Sequence, residues 1–194
     1  MTVAYNAEQL RSSVRDYLKK KSEPPLEPAF SNAIAWSGSY EDLFRAKYAT
    51  ESSDITDLVT RAMIHGRVIL SSRGGAAKTV ILRRLAEQIL SDTVIPTIID
   101  LRNWTQKNYD EWSALENSDV RMDYLFSSVG LTGFSTRALD ILPANVRRLI
   151  FVDGLNEVTS PIGQQIISVV DDFVRYAINT GAVIADRLVR RERC

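Results

Sequence analysis

Within this chain of 194 residues, the side chains best equipped for chemistry fall in two short segments. Ser72-Arg73-Gly74-Gly75-Ala76-Ala77-Lys78-Thr79 joins the apolar run Val68-Ile69-Leu70 to a helical pattern that starts at Val80. Far downstream, the apolar run Leu149-Ile150-Phe151-Val152 ends in Asp153-Gly154-Leu155-Asn156-Glu157. An ammonium, a hydroxyl and two carboxylates at strand ends are the groups that handle a polyphosphate and its metal ion. Backbone N–H groups of a glycine-containing turn and of an open helix N-terminus wrap phosphate oxygens. Arg73, Gly74, Gly75, Ala76, Ala77, Lys78, Thr79 and Val80 would form that cradle. Lys78 would neutralise the β- and γ-phosphates. The Thr79 hydroxyl would hold Mg²⁺, and Asp153 would hold it through water. Glu157 would orient an attacking water.

The loop is compared with the pattern G-x-x-x-x-G-K-[ST] between a strand and a helix. The context matches, with two departures. Ser72 stands at the first glycine position and Ala77 at the glycine before lysine. Each adds a Cβ to a tight backbone path. The acidic segment raises the specificity of the reading, because an apolar strand ending in acids belongs downstream of such a loop in nucleotide-handling proteins.

Scarcity excludes other chemistries. There is one cysteine, Cys194, and one histidine, His65. An intramolecular disulfide, a cysteine zinc site and a multi-histidine metal site are therefore ruled out. No G-x-S-x-G elbow accompanies His65; it sits beside Gly66 and reads as a helix C-terminal contact. Lys and Arg number 24 and Asp and Glu number 24, so a whole-chain electrostatic grip on nucleic acid or an anionic membrane is not indicated. Uninterrupted apolar runs reach only four residues, against roughly 18–20 for a bilayer span. No basic-then-apolar leader is evident at Met1–Leu10, and a cytoplasmic location is expected.

The elements that must position these groups follow from periodicity. Residues 7–21 read as an amphipathic helix with Leu10, Val14, Tyr17 and Leu18 on one face. Ser22-Glu23-Pro24-Pro25-Leu26-Glu27-Pro28 breaks it. Residues 29–50 are ambiguous, with a short helix possible at Tyr40–Lys47. Ser53-Asp54 can cap a helix whose face is Ile55, Leu58, Val59, Ala62 and Met63, and Gly66 ends it. Strands are expected at Val68–Leu70, Val94–Leu101, Leu149–Val152 and Ala182–Ala185, and helices at Val80–Leu90 and Gln164–Ala177. Residues 102–146 are weakly patterned, with short helices near 119–128 and 135–142. Strands alternating with helices imply an α/β domain with a largely parallel sheet. Trp36, Trp104 and Trp112 read as packing residues, with a mobile surface as a second reading for Trp104. Asp171-Asp172 and the Arg190-Arg191-Arg193 cluster read as solvated faces.

The segments at 67–86 and 147–158 resemble the nucleotide-binding domain of NACHT-type proteins, within the STAND class of P-loop NTPases related to AAA+ proteins. The resemblance spans about residues 54–189 and is weak over 102–146. Asp153-Gly154-Leu155-Asn156-Glu157 resembles the family's Asp-Gly-Leu-Asp-Glu, with Asn156 in place of one acid. Ile98-Ile99-Asp100-Leu101-Arg102 resembles the strand that ends in a Leu-Arg pair. Ala182-Val183-Ile184-Ala185-Asp186-Arg187 resembles the strand carrying the sensor arginine, so Arg187 inherits the role of reading the γ-phosphate.

The resemblance implies a P-loop NTPase-like three-layer sandwich with a mostly parallel sheet, preceded by a helical N-terminal segment. Its boundaries would be 1–52 for that segment and linker, and 53–194 for a core lacking its C-terminal part. It further implies an ATP-dependent signalling switch: ADP holds a closed form, exchange to ATP opens it and permits self-association, and slow hydrolysis resets it. Mg²⁺ and ATP or ADP are the implied cofactors. Effector and sensor domains of a larger protein are the implied partners, and bacterial members often act in defence against phage. Two other readings stay open. One is a non-catalytic interaction scaffold with a degenerate loop. The other is a small-molecule P-loop kinase, although Asp153 and Glu157 suit water activation better than capture of an acceptor hydroxyl.

Overall fold

The computed structural model describes residues 2–20, 34–37, 55–72, 78–131 and 133–187. The Pro-rich stretch 22–28, the possible helix at Tyr40–Lys47, the Ser53-Asp54 cap and the arginine cluster 190–193 lie outside the described residues. Among them the chain forms α1 (Thr2–Lys20), β1 (Ile34–Ser37), α2 (Ile55–His65), β2 (Arg67–Ser72), α3 (Lys78–Ile89), β3 (Val94–Asp100), α4 (Gln106–Ser113), α5 (Ser118–Ser128), α6 (Thr136–Asp140), β4 (Arg147–Asp153), α7 (Ser160–Tyr176) and β5 (Thr180–Arg187). A short 3₁₀ turn covers Leu155–Glu157.

The strands form one sheet in the order β1-β2-β5-β4-β3. β2, β5, β4 and β3 are parallel, and β1 is antiparallel to β2 at the edge. The architecture is α/β. The central strands are buried on both faces, which is why Leu149-Ile150-Phe151-Val152 and Ala182-Val183-Ile184-Ala185 read as continuous apolar runs. Pro96 lacks an N–H and sits in edge strand β3, where a missing donor is tolerated.

The connection from β2 to β3 runs along the sheet in one direction, and the later connections to β4 and β5 run back. Right-handed crossovers, the rule for parallel units, then put α3 on one face and α5–α7 on the other. Among the described residues α3 lies against α1, and α5 lies against α6 and α7. The amphipathic face of α1 shares the core of the domain, with Leu10, Val14, Tyr17 and Leu18 all buried. Arg11 of α1 donates from Nε and Nη2 to the carbonyls of Ser91 and Asp92 in the α3–β3 connection. Asn6 donates to the Ala138 carbonyl.

Two elements depart from the sequence reading. Helix α4 was not expected, because Gln-Lys-Asn-Tyr-Asp-Glu-Trp-Ser carries no apolar period. It is fixed by the cap bond from Thr105 N–H to Asn108 Oδ1 (2.9 Å) and by a single fully buried residue, Trp112. Strand β1 lies in the stretch that had no clear pattern. Asp171 is also not a freely solvated acid. It ion-pairs with Arg67, and burial, despite that partner, pushes its carboxyl above the ordinary range. Trp104 and Trp112 pack as expected, with Tyr109 and Tyr124 completing an aromatic cluster at ring separations of 5.3–6.3 Å. The side chain of Trp36 lies outside the description. His65 is exposed in the last turn of α2.

Candidate functional site

Parallel strands place all their C-terminal ends at one edge of the sheet, and that edge is where open α/β sheets bind ligands. Here the ends are Ser72 opposite Arg187, and Asp100 opposite Asp153. The polypeptide leaves β2 at Ser72 and enters α3 at Lys78, so only residues 73–77 connect strand to helix. The N-terminus of α3 is thereby fixed at the same edge. Arg73, Gly74, Gly75, Ala76 and Ala77 lie outside the described residues. Lys78 is buried at the first position of α3, and Thr79 and Val80 are half-buried beside it.

The loop lysine's neighbour and the strand-end acid meet. Thr79 Oγ1 donates to Asp153 Oδ2 at 2.6 Å, across 74 residues of sequence. Asp153 is only 5% exposed, and its Oδ1 accepts from the Gly154 N–H at 2.9 Å. Gly154 has φ of +80°, a left-handed conformation that lets the chain turn directly under the carboxylate. A hydroxyl and a carboxylate in contact, beside a helix N-terminus and a lysine, offer hard oxygen donors. Mg²⁺ takes one or two such protein oxygens and completes its octahedron with phosphate and water. The donor set fits that ion. No cluster of three or more His, Cys, Asp or Glu residues suits a metal held by protein alone among the described residues.

Glu157 ends the 3₁₀ turn, exposed on the same edge. Its Oε1 accepts from Asn156 Nδ2. Glu157 also faces α4: burial first, and then its charge, pushes the Tyr109 phenol upward. The backbone of Arg187 pairs with Ser72; its side chain lies outside the description.

The sequence reading left the next layer out of the site. Asp100, at the end of β3, accepts from Arg102 Nε at 2.8 Å and Nη2 at 2.6 Å, and from the Arg102 N–H at 3.1 Å. Arg83 Nη2 of α3 stands 3.7 Å from Asp100 Oδ2. Arg102 Nε is also 3.6 Å from Asp153 Oδ2. Burial pushes the Asp100 carboxyl up, but the Arg102 bonds and charge, with Arg83, outweigh it and hold it below the ordinary range. The bond to Asp100 likewise holds the Arg102 guanidinium firmly protonated. Tyr17 of α1 closes this cluster; burial and then Asp100 push its phenol up to about 12. The sequence signal was an apolar strand ending in Asp-Leu-Arg; its register with the strand ending in Asp153 is set by the sheet.

A cleft of about 610 Å³ lies elsewhere, between α5, α6 and α7. Glu116, Asp119, Asp140 and Asp172 line it, and four carboxylates repel a polyphosphate. No helix among the described residues is long and apolar enough to cross a membrane. Comparisons with family models, curated proteins and solved structures return no match.

Proposed function

We propose that this chain is the nucleotide-binding core of a signalling switch of the NACHT and STAND type, built on a P-loop NTPase-like three-layer sandwich. It binds ATP or ADP with Mg²⁺ and hydrolyses ATP slowly. The observation that carries this reading is the 2.6 Å contact of Thr79 with Asp153 at the carboxyl edge of a parallel sheet. Motif order in the sequence set up that expectation, and the contact supports it. Magnesium, when bound, would supply positive charge to offset that of the phosphates. Thr79 would hold it directly and Asp153 through water, and Lys78, in the first turn of α3, would face the phosphates. The segment Arg73–Val80 cradles the phosphate oxygens through its N–H groups. Glu157 orients a water, and Arg187 senses the terminal phosphate. The switch works within a larger protein that carries effector and sensor domains and self-associates in the ATP form. Defence against phage is the setting proposed for it, in the cytoplasm.

A second reading is favoured by one observation. Asp153 is already satisfied by Thr79, the Gly154 N–H and Arg102, as a purely structural carboxylate would be. The chain would then be an interaction scaffold. Titration of a fluorescent ADP, in the presence of Mg²⁺, into the chain and its Lys78→Ala variant separates the two. The switch reading expects saturable binding that weakens at least about tenfold in the variant, the usual scale for losing a charge-assisted phosphate contact. Equal and negligible binding by both supports the scaffold.

A further inference from the structure

We propose that Arg102 is a positioning residue that competes with magnesium for Asp153, occupying the cation side of that carboxylate when the metal is away. The inference rests on the nucleotide reading above and deepens it.

The geometry is specific. Arg102 follows β3 by two residues and crosses the Asp153–Gly154 turn: the Leu101 N–H donates to the Asp153 carbonyl at 2.9 Å. Its stem lies where a Gly154 side chain would be, since a Cβ there would come within 2.8 Å of Arg102 Cγ. From that perch the guanidinium holds Asp100 with two bonds and reaches Asp153 at 3.6 Å. Asp100 does not depend on Arg102 alone, because Arg83 approaches it from α3 at 3.7 Å. Asp100 and Asp153 are thus approached by two guanidiniums, Arg83 and Arg102. A divalent cation at Asp153 would bring like charge beside Arg102 in a half-buried setting where screening is weak. The metal and the guanidinium then cannot both draw fully on one carboxylate. Arg102 can withdraw toward Asp100 and stay paired, so the exchange leaves no buried charge orphaned. In this way the end of β3 registers whether the metal is present.

The test uses the full chain and a fluorescent ADP, read by anisotropy over a series of Mg²⁺ concentrations. In Arg102→Ala the Mg²⁺ midpoint for ADP binding is expected to fall by about fivefold or more, as a competing cation is removed. Arg102→Lys, which keeps the charge, is expected to return the midpoint most of the way to wild type. Melting in EDTA should drop in Arg102→Ala, with Mg²⁺ and ADP restoring more of it than they add to wild type. A midpoint that is unchanged or raised in Arg102→Ala, with ADP still bound, overturns the competition, and a drop in melting alone would mark Arg102 as merely structural. No ADP binding by any of the three chains at any Mg²⁺ concentration overturns the nucleotide reading itself, and this inference with it.

Discussion

Gly154 carries more than a turn. Its φ is +80°, and an added Cβ would stand 2.8 Å from both Arg102 Cγ and the Arg102 backbone nitrogen. Gly154→Ala is therefore expected to cost about 2 kcal/mol or more, from left-handed strain and backbone displacement together. Urea denaturation measures it; a loss under about 0.5 kcal/mol would show that the crossing of Arg102 over the turn is loose. Asp100 gives a second residue-scale expectation. Its folded carboxyl titrates below the ordinary value, so its stabilising effect is complete above the unfolded pKa of about 4. That effect is lost as pH falls through the lower folded value. The stability gap between wild type and Asp100→Asn should be open at pH 6 and should close below about pH 4. A gap that stays constant through that range would mean the Arg102 bonds do not favour the ionised form. Lys78, Thr79, Asp153 and Glu157 stood out in the sequence because their types and order match one chemistry. Asp100 and Arg102 did not enter the site, because a strand-end acid resembles any polar turn until register sets it beside Asp153.

At the scale of elements, α1 links the N-terminal segment to the candidate site. Its apolar face was legible as a helical period, but its target was not, since periodicity shows that a face is buried and not against what. The Tyr17 hydroxyl is buried with no hydrogen-bond partner among the described residues. Its phenol is pushed up to about 12, by burial first and then by Asp100. A raised folded pKa means the contribution to stability is intact below the unfolded value of about 10 and is lost as pH rises toward 12. Wild type should therefore lose up to about 2 kcal/mol relative to Tyr17→Phe between pH 10 and 12, read from denaturant melts. Parallel curves over that window would sink the idea that α1 seals Tyr17 beside the charged cluster. The helices α2, α3 and α7 were readable from their apolar faces, and α5 and α6 only as short helices in a weakly patterned stretch. Helix α4 was not, because one buried tryptophan and a cap hold it rather than a stripe.

For the whole molecule, the α/β class and the parallel strands were legible because doubly buried strands are apolar at consecutive positions. The strand order was not, since connection lengths allow several neighbours for β5. That order, with β5 between β2 and β4, is what sets Arg187 opposite Ser72 while Thr79 reaches Asp153. The edge strand β1 escaped because its short run sits among unpatterned residues. The central proposal is that the Thr79–Asp153 pair holds the magnesium of a bound nucleotide. Calorimetric titration of ADP into the chain, with Mg²⁺ and then with EDTA, and into Asp153→Asn, tests it most directly. The expected result is one saturable site in wild type that depends on Mg²⁺, with that dependence lost in the variant. Absence of binding in wild type, or binding that is the same in all three titrations, would contradict it.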